Sequence, residues 1–204
     1  MTNPDRRDRG EHRAESTREL AATPEQVWDA IATADGISAW MMMPTQLDPQ
    51  IGGEVSFDYG GSRSTGVITG YTPHQRLAYE EPWPMTEEMR EWVAETTGHE
   101  VSAEELASIS PIATEFLVEA ASGGSCILRV VSSSYGSGAD WENEYFAEMV
   151  AGWGEVPFGP DDQAPWLDNL ARLLSAEHVG GGYPHPDPQR GLPTVPGHAG
   201  SRDR

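Results

Sequence analysis

The chain has 204 residues, 33 acidic and 13 basic, for a net charge of −20, and every basic residue is an arginine. That charge repels nucleic-acid phosphates and anionic membrane surfaces. No apolar run reaches the roughly 18–20 residues that span a bilayer, and the opening MTNPDRRDRGEHR lacks the apolar core of a secretory signal. A single cysteine, Cys126, excludes an internal disulfide and a cysteine-built zinc cage. A soluble, cytoplasmic protein is expected, with no nucleic-acid partner and no membrane insertion.

Residues 1–13 are Arg-rich without an apolar pattern, and residues 178–204 contain six Gly and five Pro, including GGGYPHPDP. Neither stretch buries enough surface to offset the entropy of ordering it, so both read as disordered tails. One domain over 14–177 remains, with 28 acids against six arginines.

Within it, Glu15–Ala21 reads as a short strand. Thr23-Pro24-Glu25-Gln26 then places Thr at the N-cap, Pro at the first helical position and Gln where it closes a capping box. Val27, Trp28 and Ile31 mark one face of that helix, which runs to about Ala32; a second short helix follows over Ala34–Trp40 and stops before Pro44. The period next changes to two. Val55, Phe57 and Tyr59 alternate with Ser56 and Asp58 between Gly pairs, and Gly66–Tyr71 and Arg76–Glu81 form two more strands around a Thr72–Gln75 turn. Residues 86–110 are acidic, with Met89, Trp92 and Val93 at helical spacing and a second capping box at Ser102–Glu105, and read as an inserted pair of helices. Thr114–Ala120 and Cys126–Ser132 flank a Ser-Gly-Gly-Ser turn as a hairpin. Asp140 is a candidate N-cap for a helix carrying Trp141, Tyr145, Met149 and Trp153; after a Pro-rich loop, Leu167, Leu170 and Leu174 continue it. Strands that follow one another without intervening helices predict an antiparallel sheet and an α+β fold.

The stretches TPEQVWDAIATADGISAWM, GGEVSF and GVITGYTPHQRLAYEEPW, with the ending GW…PWLDNLARLL, resemble the START-like (SRPBCC) superfamily, whose members include the birch-pollen-allergen-like proteins. More narrowly they resemble the branch of bacterial homologues of the activator of heat-shock protein 90 ATPase. The resemblance covers roughly 14–177 and implies a helix-grip fold: a curved antiparallel sheet wrapped around a long C-terminal helix, enclosing an apolar cavity. Two departures stand out. The acidic insert lengthens a strand connection, and GEVPFGPDDQAP (154–165) splits the terminal helix.

The large side chains admit two readings, as plain core or as walls of a ligand pocket. On the second, Trp40, Met41, Phe57, Tyr71, Tyr79, Trp83, Phe116 and Trp153 line the cavity. Arg129 either faces that cavity, where its guanidinium pairs with a ligand oxyanion, or lies outside against Glu115 or Glu119. One of Glu80 and Glu81 must face inward if their strand persists, and a carboxyl group buried near Trp83 would have a raised pKa. Catalytic signals are thin. No G-x-S-x-G elbow occurs, Cys126 sits in an apolar strand as a packing residue, and the histidines show no metal-ligand spacing. No cofactor or metal is expected.

Three functions fit: a module that binds a small hydrophobic or amphipathic molecule between sheet and helix, with the insert as partial lid; a polyketide cyclase/aromatase-like enzyme using the same cavity; or a chaperone-associated domain with a protein partner. The first is preferred. Two or more polar groups converging inside the cavity would favour the second.

Overall fold

Most of the predicted elements come together as one sheet and six helices in the computed structural model, which describes residues 10–58, 63–83, 85, 87–150 and 166–175. Strand β1 (Glu11–Leu20) leads into α1 (Pro24–Ile31) and α2 (Ala34–Met41). The strands β2 (Thr45–Leu47), β3 (Glu54–Asp58), β4 (Arg63–Thr72) and β5 (Arg76–Glu81) follow. Helices α3 (Glu87–Thr97) and α4 (Ala103–Ser108) occupy the insert, before β6 (Ile112–Ala120), β7 (Cys126–Tyr135), α5 (Asp140–Val150) and α6 (Trp166–Ser175). The seven strands run antiparallel in the order β1-β7-β6-β5-β4-β3-β2, so the first strand closes against the last and α1–α2 carries the chain to the opposite edge. This is the α+β helix-grip architecture that the sequence predicts, with α5 and α6 forming the C-terminal helical arm. Trp153, Tyr59, the 154–165 segment and the 178–204 tail lie outside the described residues.

Local chemistry explains the helix starts. The Thr23 hydroxyl accepts from Gln26 N–H while the Gln26 side chain accepts from Thr23 N–H at 2.9 Å, and Ser102 and Glu105 repeat the arrangement ahead of α4. Helix α5 differs from expectation. Asp140 is its first helical residue rather than its cap, and Glu142 reaches back to take the Ser137 hydroxyl at 2.7 Å, Ser137 N–H at 3.1 Å and Gly138 N–H at 2.8 Å.

That carboxylate also explains why β1 starts at Glu11 rather than at Glu15, which turns residues 11–13 from expected tail into strand. His12 is 3% exposed and bonds Glu142 at 3.3 Å through Nε2, while its ring meets Trp83 edge-on at 5.5 Å. The inner face of β1 is His12, Ala14, Ser16, Arg18 and Leu20, a row with one large apolar residue, so no hydrophobic period announces the strand.

Two clusters fill the interior. The larger packs α1, α2 and α6 onto the sheet through Trp28, Ile31, Trp40, Phe57, Phe116 and Leu170. The second joins the insert to α5 through Trp83, Val93, Val101, Ile109, Trp141 and Phe146. The acidic insert is therefore amphipathic: Val93 is fully buried, and the His99 ring stacks on Trp141 at 5.8 Å. A register shift between Ile68 and Gly70 puts one extra residue into β4. Past it, Tyr71 turns to the inner face and meets Trp28 edge-on at 5.3 Å.

Glu142 is 2% exposed. Burial pushes its pKa up, but the hydroxyl and N–H of Ser137, the N–H of Gly138 and the bond from His12 outweigh that and hold it below the usual 4.5. Glu142→Ala strands all four partners and is expected to cost about 2–4 kcal/mol in urea unfolding. Because the folded pKa is depressed, the contribution is present above 4.5 and fades as pH falls through the folded value. The wild type is accordingly expected to lose stability in acid more steeply than Glu142→Gln.

Candidate functional site

At the end of the sheet nearest the C-terminus of α5 and the first residue of α6, the inner-facing side chains change from large apolar to small polar. Tyr79, Thr114 and Ser132 stand side by side across β5, β6 and β7. The Thr114 and Ser132 hydroxyls lie 3.2 Å apart and share a hydrogen bond. Two residues along β5, Glu81 also points inward, 7% exposed, and its Oε2 accepts from the Ser64 hydroxyl of β4 at 2.6 Å. Gly66, beside it on β4, is required by this fit: a Cβ there would sit 2.4 Å from the Glu80 carbonyl oxygen and 2.9 Å from the Glu81 Cβ.

Above this floor the small side chains leave a narrow cleft of about 30 Å³ that opens to solvent. Its walls are Met41 from α2, Ile112 from β6, Met149 and Val150 from α5, and Trp166 from α6. Apolar walls around a few placed polar groups are the usual make-up of a small-molecule site.

The sequence of this protein matches the family described as Activator of Hsp90 ATPase homolog 1-like protein over residues 21–156. The chain belongs to that family. No curated protein sequence matches it. Among solved structures, it is similar to protein MLL2253 from Mesorhizobium loti, with a TM-score of 0.57 at 15% identity, covering 80% of this chain and 96% of that one. It is also similar to Aha1 from Colwellia psychrerythraea, solved as a dimer, with a TM-score of 0.51 at 14% identity over 81% of this chain and 97% of the other. A third is DynU16, a protein of the dynemicin biosynthetic locus, with a TM-score of 0.54 at 13% identity over 80% of this chain and 47% of DynU16. At these identities the likeness is one of fold.

For an Hsp90-activator-like domain, the predicted pocket residues divide sharply. Met41 and Tyr79 line the cleft. Trp40, Phe57 and Phe116 are packed behind it. The Trp40 indole donates to the Ala30 carbonyl at 3.0 Å and meets Phe116 edge-on at 6.3 Å, and Phe57 lies 5.5 Å from Tyr79. Tyr71 sits at the α1 end of the core. Trp83 belongs to the second cluster, its indole donating to Ser134 at 2.9 Å and stacking on Tyr145 at 5.6 Å. Arg129 is no cleft residue. It faces outward, 3.4 Å from Glu15 on β1, because its phase on β7 is that of exposed Ile127 and not of buried Leu128 and Val130. Trp153 lies outside the described residues. The insert does not act as a lid over this cleft; among the described residues none of its side chains lines it.

Sequence reasoning passed over Thr114, Ser132, Ile112, Met149, Val150 and Trp166 as site residues. The signal for the first two was present: Thr114 is in phase with Phe116 and Val118, and Ser132 with Leu128 and Val130. A small hydroxyl in a row of buried apolar residues marks a place where the core stops being filled. Glu81 was weighed as an inward acid without being placed in the site. Burial pushes its pKa from 4.5 to about 7, with the Ser64 hydroxyl pulling weakly the other way. Burial, and then the charge of Glu81, raise the phenols of Tyr79 and Tyr145; hydrogen bonding to Thr114 opposes this at Tyr79. The Cys126 thiol, fully buried, is also pushed up by burial, as suits an unreactive packing residue. Among the described residues no three His, Cys, Asp or Glu side chains gather as metal ligands, and no helix is long and apolar enough to cross a membrane.

A raised carboxyl pKa means the folded state holds a proton that the unfolded chain has released, so stability falls as pH rises from 4.5 to about 7 and levels off above. Glu81→Gln abolishes this loss. Relative to wild type, it is expected to gain on the order of 3 kcal/mol between acid and alkaline limits in paired urea titrations. Parallel stability curves for the two proteins would mean that Glu81 is solvated.

Proposed function

We propose that this domain binds a small hydrophobic or amphipathic molecule in the cleft between the inner face of the sheet and helices α5 and α6. One observation carries the reading: Met41, Ile112, Met149, Val150 and Trp166 make an apolar wall over a floor on which Glu81, Tyr79, Thr114 and Ser132 present polar atoms. An unfilled space at this place in a sheet otherwise packed with Trp, Phe and Leu gives the carbon skeleton an apolar surface and its polar end a fixed set of partners. The family placement and the fold likeness to DynU16 support the same reading.

The convergence of Glu81 with the Thr114–Ser132 pair in one cleft also favours, as a second reading, an enzyme that moves protons on a bound molecule. A carboxyl group titrating near 7 holds and releases a proton at working pH. A protein-partner role, which the Hsp90-activator description suggests, has less support on the surface. Among the described residues the exposed large apolar side chains are Ile51, Val67, Ile127 and Tyr135; Ile127 and Tyr135 lie at opposite ends of β7, and β5 and β6 separate them from Val67 on β4 and Ile51 before β3, so the four do not join into the one broad apolar patch such a role calls for.

Paired native and denaturing mass spectra test the first reading. An adduct present only in the native spectrum is expected, and Ser132→Leu, which fills the floor of the cleft, is expected to remove it while unfolding stays cooperative. An adduct that survives in the filled variant would place the molecule elsewhere and defeat the proposal.

A further inference from the structure

The polar floor of the cleft has a sign. Among the described residues Glu81 receives one hydrogen bond, from Ser64 to Oε2, and its Oε1 takes none. No fully enclosed side-chain oxygen or nitrogen among the described residues lacks a partner, so Oε1 reaches the cleft surface rather than sealed core. No cation of the described chain approaches it. Arg13 and Arg129 pair with Glu15, Arg18 with Asp168, Arg63 with Glu54 and Arg76 with Glu115. Arg172 bonds Asn169, Arg90 donates to the Val101 carbonyl, and His12 is engaged by Glu142. The chain contains no lysine.

We propose that the cleft selects a lipophilic organic cation, a protonated amine on a short apolar skeleton, with the Oε1 of Glu81 as its counter-ion and Tyr79, Trp166, Met41 and Met149 as the wall around it. This rests on the cleft being a ligand site and adds the charge of the ligand. Three features converge on it. A carboxylate withdrawn from water regains in an ammonium the partner that the protein withholds. Aromatic faces and thioethers accommodate a cation's alkyl surroundings, with an added attraction between the ring and the charge. The net charge of −20 concentrates cations around the molecule and turns away fatty-acid-like anions.

The groups around Glu81 that titrate are the phenols of Tyr79 on its own strand and Tyr145 on α5, both held above their usual range. Ser64 from β4, Ile112 and Thr114 from β6, and Ser132 from β7 carry no charge. His12 lies beyond Trp83 and is bonded to Glu142. Binding of an ammonium therefore requires loss of the Glu81 proton, and affinity should climb as pH rises.

Calorimetric titration of the full chain with octylamine, 1-octanol and octanoate tests the charge directly, since the three share a skeleton and differ in charge. At pH 8 octylamine is expected to bind at least about tenfold more tightly than octanol, with octanoate weakest. Its affinity should rise about tenfold from pH 6 to pH 8 while that of octanol stays level. In Glu81→Gln, octylamine should fall to the affinity of octanol, and retained octanol binding certifies the fold of the variant. Octanol equal to octylamine in the wild type, octanoate tightest, or a preference for octylamine that survives Glu81→Gln would overturn the cation while leaving the cleft as a ligand site. Binding of none of the three would overturn both. The wild-type series alone separates these outcomes even if the variant does not fold.

Discussion

Two glutamates buried on either side of Trp83 organise this domain, and they titrate in opposite directions. Glu142 is 2% exposed but sits at a helix start, where two backbone N–H groups, a hydroxyl and an imidazole converge on its oxygens. The charge is solvated by the protein in place of water, so the donors together outweigh the cost of burial and the carboxylate ties β1, the β7–α5 connection and α5 together. Gly136 belongs to the same design, since a Cβ there would lie 2.3 Å from a Glu142 oxygen. Glu81, 7% exposed, has a single hydroxyl on one oxygen, and its pKa rises to about 7. The same side chain is an ionised anchor in one place and a carboxyl group that keeps its proton to higher pH in the other. The number of donors around it makes the difference.

The cleft lies where it does because the inner face of the sheet changes composition along the strands. Towards one end, Leu128, Val130, Phe116, Leu77 and Ile68 meet α1, α2 and α6 in a filled core. Towards the other, β7 ends in Ser132 and Ser134 and β6 begins with Ile112 and Thr114. Side chains that short cannot reach helices packed at a distance set by Trp40 and Leu170. The gap is thus a consequence of residue volume at three or four positions. The insert packs away from the cleft, with Val93, Val101 and Ile109 joining Trp141 and Phe146, so its apolar residues extend the core.

Much of this was legible in the sequence. Capping boxes at Thr23 and Ser102 fixed helix starts to the residue, because that chemistry is local. Alternation found β3 to β7 for the same reason. Features that depend on a distant partner were not legible. Strand β1 begins at Glu11 through its pairing with Tyr135 and the contact of His12 with Glu142, 130 residues away. Tyr71 turns inward only because of the extra residue near Gly70. Arg129 has apolar neighbours on both sides, so its facing shows only once packing decides that the phase of Leu128 and Val130, and not that of Ile127, looks inward. At the cleft, the aromatic side chains that stand out in the sequence are mostly packing, while the walls and floor draw on Thr114, Ser132 and Glu81, residues whose small size or cost of burial matters more than their apolar area.

Keeping Glu81 inside is uphill for folding wherever its carboxyl ionises, and the sheet absorbs the cost. The residue is the last of β5, paired with Ile112 of β6 and next to the Val67–Glu80 pair with β4, and its side chain is held inward by the Ser64 hydroxyl. A Leu or Met at this position would fill the space without that penalty, and the surrounding Ile112, Met149 and Val150 would accept it. The arrangement thus departs from what stability alone selects in the same cleft where packing is incomplete. Incomplete packing and a buried acid occur together at one place on the sheet, and neither is what stability alone would select there.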